Sequence, residues 1–267
     1  MVRDTHPAGD LIKALPEVSL AALNASAELL NRYDRKYLVP IQVLNETLAE
    51  VADAALALDI GGRRRMRYRT VYYDTADWLC YRLTATRRRR RFKVRMREYE
   101  SGECYLEVKT NGARGHTMKE RWAVTGDGPG GTSDITSRVP SQLTETVARY
   151  LALRAITAPP LDAFAAALEV RYDRSTLLLG GGRVTIDSGL EWDAPGRLME
   201  AGDTTRAVDA AVPLVVVETK TSGATTALDQ ALWRRGIRPV ALSKFGIGMA
   251  RIYGFPGNRW HRVLQLL

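Results

Sequence analysis

The segment Phe92–Arg97 alternates strictly between apolar and basic side chains, reading Phe-Lys-Val-Arg-Met-Arg. Because successive side chains of a β-strand point to opposite faces, Lys93, Arg95 and Arg97 would share one face while the apolar residues share the other. A strand of this kind buries one face in a core and presents a row of cations on its second face. The chain is therefore constrained to a sheet with one strongly basic surface.

The same alternation recurs in other predicted strands. These segments are Glu107–Lys109, Lys119–Arg121, Tyr172–Arg174, Arg183–Asp187 and Glu218–Lys220. A single strand of this kind could equally belong to an antiparallel sheet with one face in solvent or to a wall that lines a ligand. Its repetition favours a wall around an anionic ligand, because side chains on one face repeat about every 7 Å and adjacent strands lie about 4.8 Å apart. At that spacing, Arg guanidinium groups can bind successive phosphates through two hydrogen bonds each, and Lys ammonium groups add single positive charges.

Composition bounds the class of protein and the kind of partner. The chain has 267 residues, 45% of them hydrophobic and 26% charged, which is typical of a globular domain. We expect one domain over residues 1–267, with residues 1–18 as an irregular N-terminal segment. The net charge of +9 indicates an acidic partner, which on charge alone could be nucleic acid, anionic lipid or a free phosphate chain.

Cysteine usage and hydropathy bear on the compartment. Cys80 and Cys104 lack the CxxC spacing of a zinc site and form no disulfide framework. The sequence contains no apolar run of about 18 residues, the length that a membrane helix needs, and its N-terminus lacks the apolar core of a signal peptide. We therefore expect a reduced, cytoplasmic protein without a membrane segment.

Periodicity divides the chain into strands and helices. The predicted strands are 33–39, several between 67 and 124 with a hairpin turn at Glu100–Glu103, Val170–Leu179, Arg183–Leu190 and Leu214–Thr221. The predicted helices are a short one between Ser19 and Leu30, 43–58, Leu143–Leu153, Leu161–Leu168, Ala227–Arg235 and Lys244–Tyr253, the last capped by Ser243. Antiparallel strands with converging charged faces predict an α+β domain whose sheet is closed or nearly closed.

Glu218 is a carboxylate on an otherwise apolar strand, Leu214–Lys220. A divalent cation shared between this carboxylate and phosphate oxygens would explain its position, because Mg²⁺ and Mn²⁺ prefer oxygen ligands. The alternative is an ordinary ion pair with a lysine.

Two runs of arginine, Arg87–Arg91 and Arg63–Arg65, are the compositional extreme of the chain. Such runs are most often solvated loops that lead into a strand. A nucleic-acid surface would need aromatic side chains between the cations, and only Phe92 is near. We therefore expect no nucleic acid as the partner.

Nine short motifs, in order from about residue 30 to residue 253, resemble the VTC-type polyphosphate polymerase domain of the triphosphate tunnel metalloenzyme (CYTH-like) superfamily. They are Tyr33–Val39, Thr70–Thr75, Lys93–Arg97, Leu106–Thr110, Lys119–Arg121, Tyr172–Arg174, Arg183–Asp187, Val217–Lys220 and Ser243–Phe245.

The resemblance implies an antiparallel β-barrel with flanking helices, whose tunnel binds a nucleoside triphosphate and a growing polyphosphate chain. By motif, the phosphate ligands would be Lys36, Arg95, Arg97, Lys109, Lys119, Arg174, Arg183 and Lys244, with Tyr172 as a wall residue and Glu218 as the ligand of Mn²⁺ or Mg²⁺. Among these, the catalytic roles are assigned to Lys36, Arg95, Arg97, Arg174 and Arg183. Strand parity alone adds Lys93 and Arg121, and Lys220 completes the substrate-binding set.

Two departures from related sequences bear on the reaction. The first strand offers Asp34-Arg35-Lys36 instead of the ExExK signature of the cyclase and thiamine-triphosphatase branch, which weakens the hydrolase and cyclase interpretations. A second lysine of the fungal polymerases is replaced by Ala241. The leading hypothesis is transfer of the terminal phosphoryl of ATP to polyphosphate. The alternatives are hydrolysis of tripolyphosphate or a nucleoside triphosphate, and a non-catalytic module that binds polyphosphate or nucleic acid.

Overall fold

The alternating segments form strands of one antiparallel sheet in a computed structural model that describes residues 8–26, 33–111, 117–124, 138–195, 214–223 and 225–267. The strands are β1 (Glu17–Val18), β2 (Tyr33–Pro40), β3 (Ala55–Leu58), β4 (Met66–Thr75), β5 (Phe92–Tyr99), β6 (Cys104–Asn111), β7 (Thr117–Ala123), β8 (Phe164–Leu179), β9 (Gly182–Asp193) and β10 (Leu214–Thr221). Their order is β2-β10-β9-β8-β4-β5-β6-β7, and β3 pairs with β8 and, in parallel, with β1.

Helices cover the sheet and lie at its ends. They are α1 (Gly9–Ala14), α2 (Leu20–Ser26), α3 (Ile41–Glu50), α4 (Leu79–Ala85), α5 (Ser141–Leu153), α6 (Ala227–Arg234), α7 (Lys244–Tyr253) and α8 (His261–Leu264). Single 3₁₀ turns occur at Ala52–Ala54, Leu161–Ala163 and Asn258–Trp260. The predicted α+β class is confirmed.

The predicted barrel is not confirmed, because the sheet has two end strands. In the described part of the chain no ladder joins β2 to β7. The backbone N–H of Val240 donates to the carbonyl of Lys36 at 2.8 Å, so the loop before α7 is hydrogen-bonded to the end strand β2. Strand β7 is mostly exposed at the other end. The antiparallel sheet is therefore open.

Helix α7 lies against β8 and β9 on the face of the sheet that carries the basic residues. The ring of Phe245 lies 5.0 Å from that of Tyr72, and the Tyr72 hydroxyl accepts a hydrogen bond from Arg95. A Cβ at Gly248 would lie 2.2 Å from Cδ1 of Trp192, so this approach requires a glycine. The opposite face of β2, β9 and β10 packs in an apolar cluster with α3 and α6.

Several predicted elements are confirmed. Strand β10 and helix α7 have the predicted bounds. The hydroxyl of Ser243 accepts from the N–H of Gly246 at 3.1 Å and caps α7. The turn between β5 and β6 places Gly102 at φ 86°, a conformation that suits glycine.

Three predictions of secondary structure are wrong. Residues Leu161–Leu168 form a 3₁₀ turn and then the start of β8, because β8 pairs with β4 as far as Thr75 and this pairing overrides a short helical pattern. The predicted helix over 43–58 ends at Glu50, and Ala55–Leu58 forms a strand instead. The N-terminal segment contains α1 and β1. Helix α2 begins after Ser19 as predicted, and residues 27–30 of the predicted Ser19–Leu30 helix lie outside the described residues.

Candidate functional site: a basic sheet face

The basic face is the side of the sheet that carries Arg95 and the side chains in line with it on neighbouring strands. Its described cations are Lys36, Lys93, Arg95, Arg97, Lys109, Lys119, Arg121, Arg174, Arg183, Lys220 and Lys244. Three carboxylates lie among them, and each holds its own group of cations.

The first group surrounds Glu107 on β6, whose side chain is 1% exposed. Its Oε2 lies 2.6 Å from Nη2 of Arg95 and 3.7 Å from Nη1 of Arg97, and its Oε1 accepts from Nζ of Lys119 at 2.7 Å. Burial alone would raise the pKa of Glu107, but the charges of these three cations hold it well below its usual range. Glu107 is therefore a buried anion that fixes the orientation of Arg95 and Lys119.

The second group surrounds Asp187 on β9. Arg174 donates to both of its oxygens, from Nε at 2.6 Å and from Nη2 at 2.8 Å, and Lys244 at the start of α7 pairs with Oδ2. Burial opposes ionisation of this carboxyl, yet the two cations lower the pKa of Asp187 to about 2. The bidentate pair leaves one edge of the Arg174 guanidinium for another acceptor.

The third group surrounds Glu218 on β10, whose side chain is 14% exposed. Lys36 lies opposite Glu218 in the β2–β10 register, and its Nζ donates to Oε1 at 2.6 Å. Lys220 lies 3.6 Å from Oε2. Burial would raise the pKa of Glu218, but the charges of Lys220 and Lys36 lower it well below its usual range. The ion pair that the sequence left open as an alternative is thus present.

Lys93 and Lys109 lie directly opposite each other on β5 and β6, and Lys109 also lies opposite Lys119 on β7. Nζ of Lys93 donates to Oγ of Ser243 at 2.9 Å, and no ion pair joins either lysine to a carboxylate in the described chain. Burial, then the charges of Lys36 and Arg95, lower the pKa of Lys109 to about 8. Burial, then the charges of Lys109 and Arg95, lower the pKa of Lys93 as well.

Aromatic rings form the wall between the first two groups. Tyr68 and Tyr172 stack with centroids 5.2 Å apart. The guanidinium of Arg97 lies 5.5 Å from the Tyr68 ring and that of Arg174 lies 5.2 Å from it, and Nζ of Lys244 lies 4.6 Å from the Tyr172 ring. Such contacts hold cations in place without consuming their hydrogen-bond donors.

Two predicted site residues share the basic face by register but lie outside these three groups. Arg121 is exposed, and its guanidinium lies 4.9 Å from the ring of Tyr105. Arg183 is paired in register with Lys220, and its Nη2 donates to Asn24 of α2 at 2.9 Å. Sequence reasoning did not select Glu107, Asp187 and Tyr68 as site residues. Strand parity was the available signal for Glu107, which is two residues from Lys109, and for Asp187, which is four residues from Arg183. The strand of Tyr68 carries no predicted site cation, so parity could not have selected it.

Comparison of the sequence with protein-family models matches residues 31–253 to the VTC domain. This chain belongs to the VTC-domain family. The match covers the basic face and α7, so the recognition made from the short motifs is confirmed.

Solved structures that resemble this VTC domain have low sequence identity to it. A putative adenylate cyclase from Bacillus halodurans is 13% identical with a TM-score of 0.49, and the alignment covers 80% of this chain and 94% of that chain. A putative adenylyl cyclase from Hippeastrum, described as having a dominant triphosphatase activity, is 16% identical with a TM-score of 0.46 over 85% and 98% of the two chains. No curated protein sequence matches significantly.

The donor set of this VTC domain limits the kind of metal site that it can form. In the described residues there is no group of three or more His, Cys, Asp or Glu side chains that could hold an ion. Glu218 supplies carboxylate oxygens on the basic face, where Lys36 and Lys220 lie beside them. These donors fit a Mg²⁺ or Mn²⁺ ion that takes most of its ligands from substrate oxygens and water. Separately, none of the described helices combines the length and the apolar character that crossing a membrane requires.

Proposed function

We propose that this VTC domain is a metal-dependent phosphotransferase that moves the terminal phosphoryl group of ATP onto the end of a polyphosphate chain and releases ADP, with the basic face as its site. The observation that carries the proposal is the pair Lys93 and Lys109, two facing cations without a carboxylate partner in the described chain. Holding two half-buried like charges opposite each other costs free energy, and the cost is offset when an anion binds between the side chains. A phosphate chain supplies that anion.

The other cations would act by position and charge. Transfer of a phosphoryl group passes through a loose transition state in which charge spreads over the equatorial oxygens, so fixed cations stabilise it directly. Arg95 and Arg174 are fixed by Glu107 and Asp187, and therefore need little reorganisation. Because an anionic phosphate acceptor carries no proton to remove, the reaction needs no general base.

Glu218 would hold the metal together with donor phosphates, and Lys36 and Lys220 would then contact phosphate oxygens. When bound, the ion neutralises charge on the donor phosphates. Tyr68 and Tyr172 keep Arg97, Arg174 and Lys244 directed across the face. Support for triphosphate chemistry comes from membership of the VTC-domain family and from this arrangement of cations.

Product analysis tests the proposal. Purified protein with ATP and Mn²⁺ or Mg²⁺ should form chains longer than three phosphates, and Arg95→Ala should reduce the rate about 100-fold or more, as loss of one positioned donor does elsewhere. Arg234→Ala is the matched control, because Arg234 lies on α6 against the opposite face of the sheet and pairs there with Glu50 at 2.8 Å. Release of inorganic phosphate without chain growth would instead establish hydrolysis in the same site. Binding without turnover would establish the non-catalytic alternative.

A further inference from the structure

The two arginine runs of the sequence have different surroundings in the structure. Arg63 pairs with Glu100 at 2.6 Å, Arg64 pairs with Asp59 at 3.2 Å, and Arg65 lies 3.8 Å from Asp173. By contrast, no ion pair joins any arginine of the run 87–91 to a carboxylate in the described chain. The first run is therefore neutralised locally, whereas the second is not.

Arg259 lies beside the second run. The hydroxyl of Tyr81 on α4 donates to the carbonyl of Pro256 at 2.9 Å, and the Tyr81 ring lies 6.1 Å from that of Trp260. These contacts fix the turn that carries Arg259 against α4, and Arg87 follows the end of the same helix. Burial, then the positive charges of Arg87 and Arg91, lower the pKa of Arg259. Arg87, Arg91 and Arg259, here called the arginine rim, are thus neighbours.

The arginine rim adjoins the basic face at Lys93. Arg91 is followed by the first residues of β5, so Lys93 is only two positions further along the chain. Nζ of Lys93 lies 5.3 Å from the ring of Phe245, and that ring contacts Tyr81 at 6.4 Å. The charge of Arg259 is among the causes, after burial and nearer cations, that lower the pKa of Lys93. Cations therefore continue from the basic face to the protein surface.

We propose that the arginine rim is a second binding site that holds the distal part of a long inorganic polyphosphate chain whose end occupies the basic face. The inference rests on the proposed function, because it requires a phosphate chain in that face. It makes affinity depend on chain length, since a tripolyphosphate is held by the basic face alone while a long chain reaches both sites.

The surroundings of the rim favour a bare phosphate chain over nucleic acid. Single-stranded nucleic acid is usually bound by stacking of bases on exposed aromatic rings as well as by cations. Three aromatic residues beside the rim are buried, with Phe92 and Trp260 each 1% exposed and Tyr81 4% exposed, and Phe255 is half-buried against Tyr81. The rim therefore offers charge without a stacking surface.

A binding experiment without ATP or metal tests the rim apart from catalysis. Arg87→Gln/Arg91→Gln should lower the affinity for long-chain polyphosphate about threefold to tenfold, because exposed charge contacts are individually weak, and should leave the affinity for sodium tripolyphosphate unchanged. The control, Arg63→Gln/Arg65→Gln, removes the same charge from the paired run and should change neither affinity. Circular dichroism of each variant checks that it is folded.

Three results would overturn the rim. The first is an equal loss of affinity for long-chain polyphosphate in both double variants. The second is a loss of affinity in the rim variant that is as large for tripolyphosphate as for the long chain. The third is a wild-type protein that binds tripolyphosphate and long chains with the same affinity per site. A selective loss of affinity for single-stranded DNA would assign the surface to nucleic acid and reject the proposal. The proposed phosphotransfer can fail independently, since it is judged by products from ATP and not by this binding series.

Discussion

Lys93 and Lys109 face each other across β5 and β6, and the described chain gives neither of them a carboxylate partner. Every other lysine of the basic face lies within 4 Å of a buried acid, either Glu107, Asp187 or Glu218. Sites that bind a ligand commonly carry such destabilising features, which the ligand then relieves. A bound anion would therefore neutralise more uncompensated positive charge at the lysine pair than elsewhere on the basic face.

Replacing Lys109 with Met should raise stability and weaken binding. The substitution removes a half-buried cation that forms no ion pair with a carboxylate in the described chain and keeps most of the aliphatic side chain, so we expect the free energy of unfolding to rise by roughly 1–2 kcal/mol. The affinity for tripolyphosphate should fall at least about tenfold. Urea denaturation and isothermal titration calorimetry measure the two effects. A variant that is destabilised and still binds normally would contradict this role for Lys109.

Binding of tripolyphosphate should take up protons above pH 8. The pKa of Lys109 is about 8 in the free protein, and a bound anion raises it, so the lysine is protonated on binding between pH 8 and its higher bound pKa. Affinity should therefore fall as the pH rises above 8. Calorimetry in two buffers of different ionisation enthalpy measures the uptake. Lys109→Arg keeps its charge in this range and should show a smaller uptake; an unchanged uptake would assign the proton to another group.

Glu107→Gln should destabilise the protein by about 3 kcal/mol. The substitution removes the anion that Arg95, Arg97 and Lys119 share, and removal of one partner from a buried charge cluster leaves the others uncompensated. Glu103→Gln, in the exposed hairpin turn, is the control and should change stability by less than about 0.5 kcal/mol. The midpoints of urea denaturation of the two variants give the comparison. Equal midpoints would mean that the cluster contributes little.

Asp187 should contribute stability that is lost in acid. Its pKa is about 2 in the folded protein and near 3.9 when unfolded, so its contribution is complete above about pH 4 and disappears as the pH falls towards 2. Asp187→Asn lacks this titration. The difference in unfolding free energy between wild type and variant should therefore shrink between pH 4 and pH 2, as measured by urea denaturation at each pH. A difference that stays constant over this range would exclude the linkage.

Patterns of neighbouring residues correctly predicted the strands and helices that such patterns can specify. The alternation in β5 and β10 depends on neighbouring residues, and so does the helical spacing of α7 with its Ser243 cap. The strand at Phe164–Leu168 was missed because a short apolar run fits both periods, and only pairing with β4 decides between them. Closure of the sheet is a contact between strands distant in sequence, which no local pattern can specify.

The sequence by itself determined that several strands would present cations on one face, because side-chain alternation is built into the geometry of a strand. It also carried the motifs of the VTC domain. Only the tertiary structure decided which of these cations are neutralised. Glu107 reaches Lys119 across a strand pair, Asp187 reaches Lys244 on a helix, and the arginines of the two surface runs differ only in their neighbours. Ion pairing depends on distances of a few ångströms between residues far apart in the chain, and those distances exist only after folding.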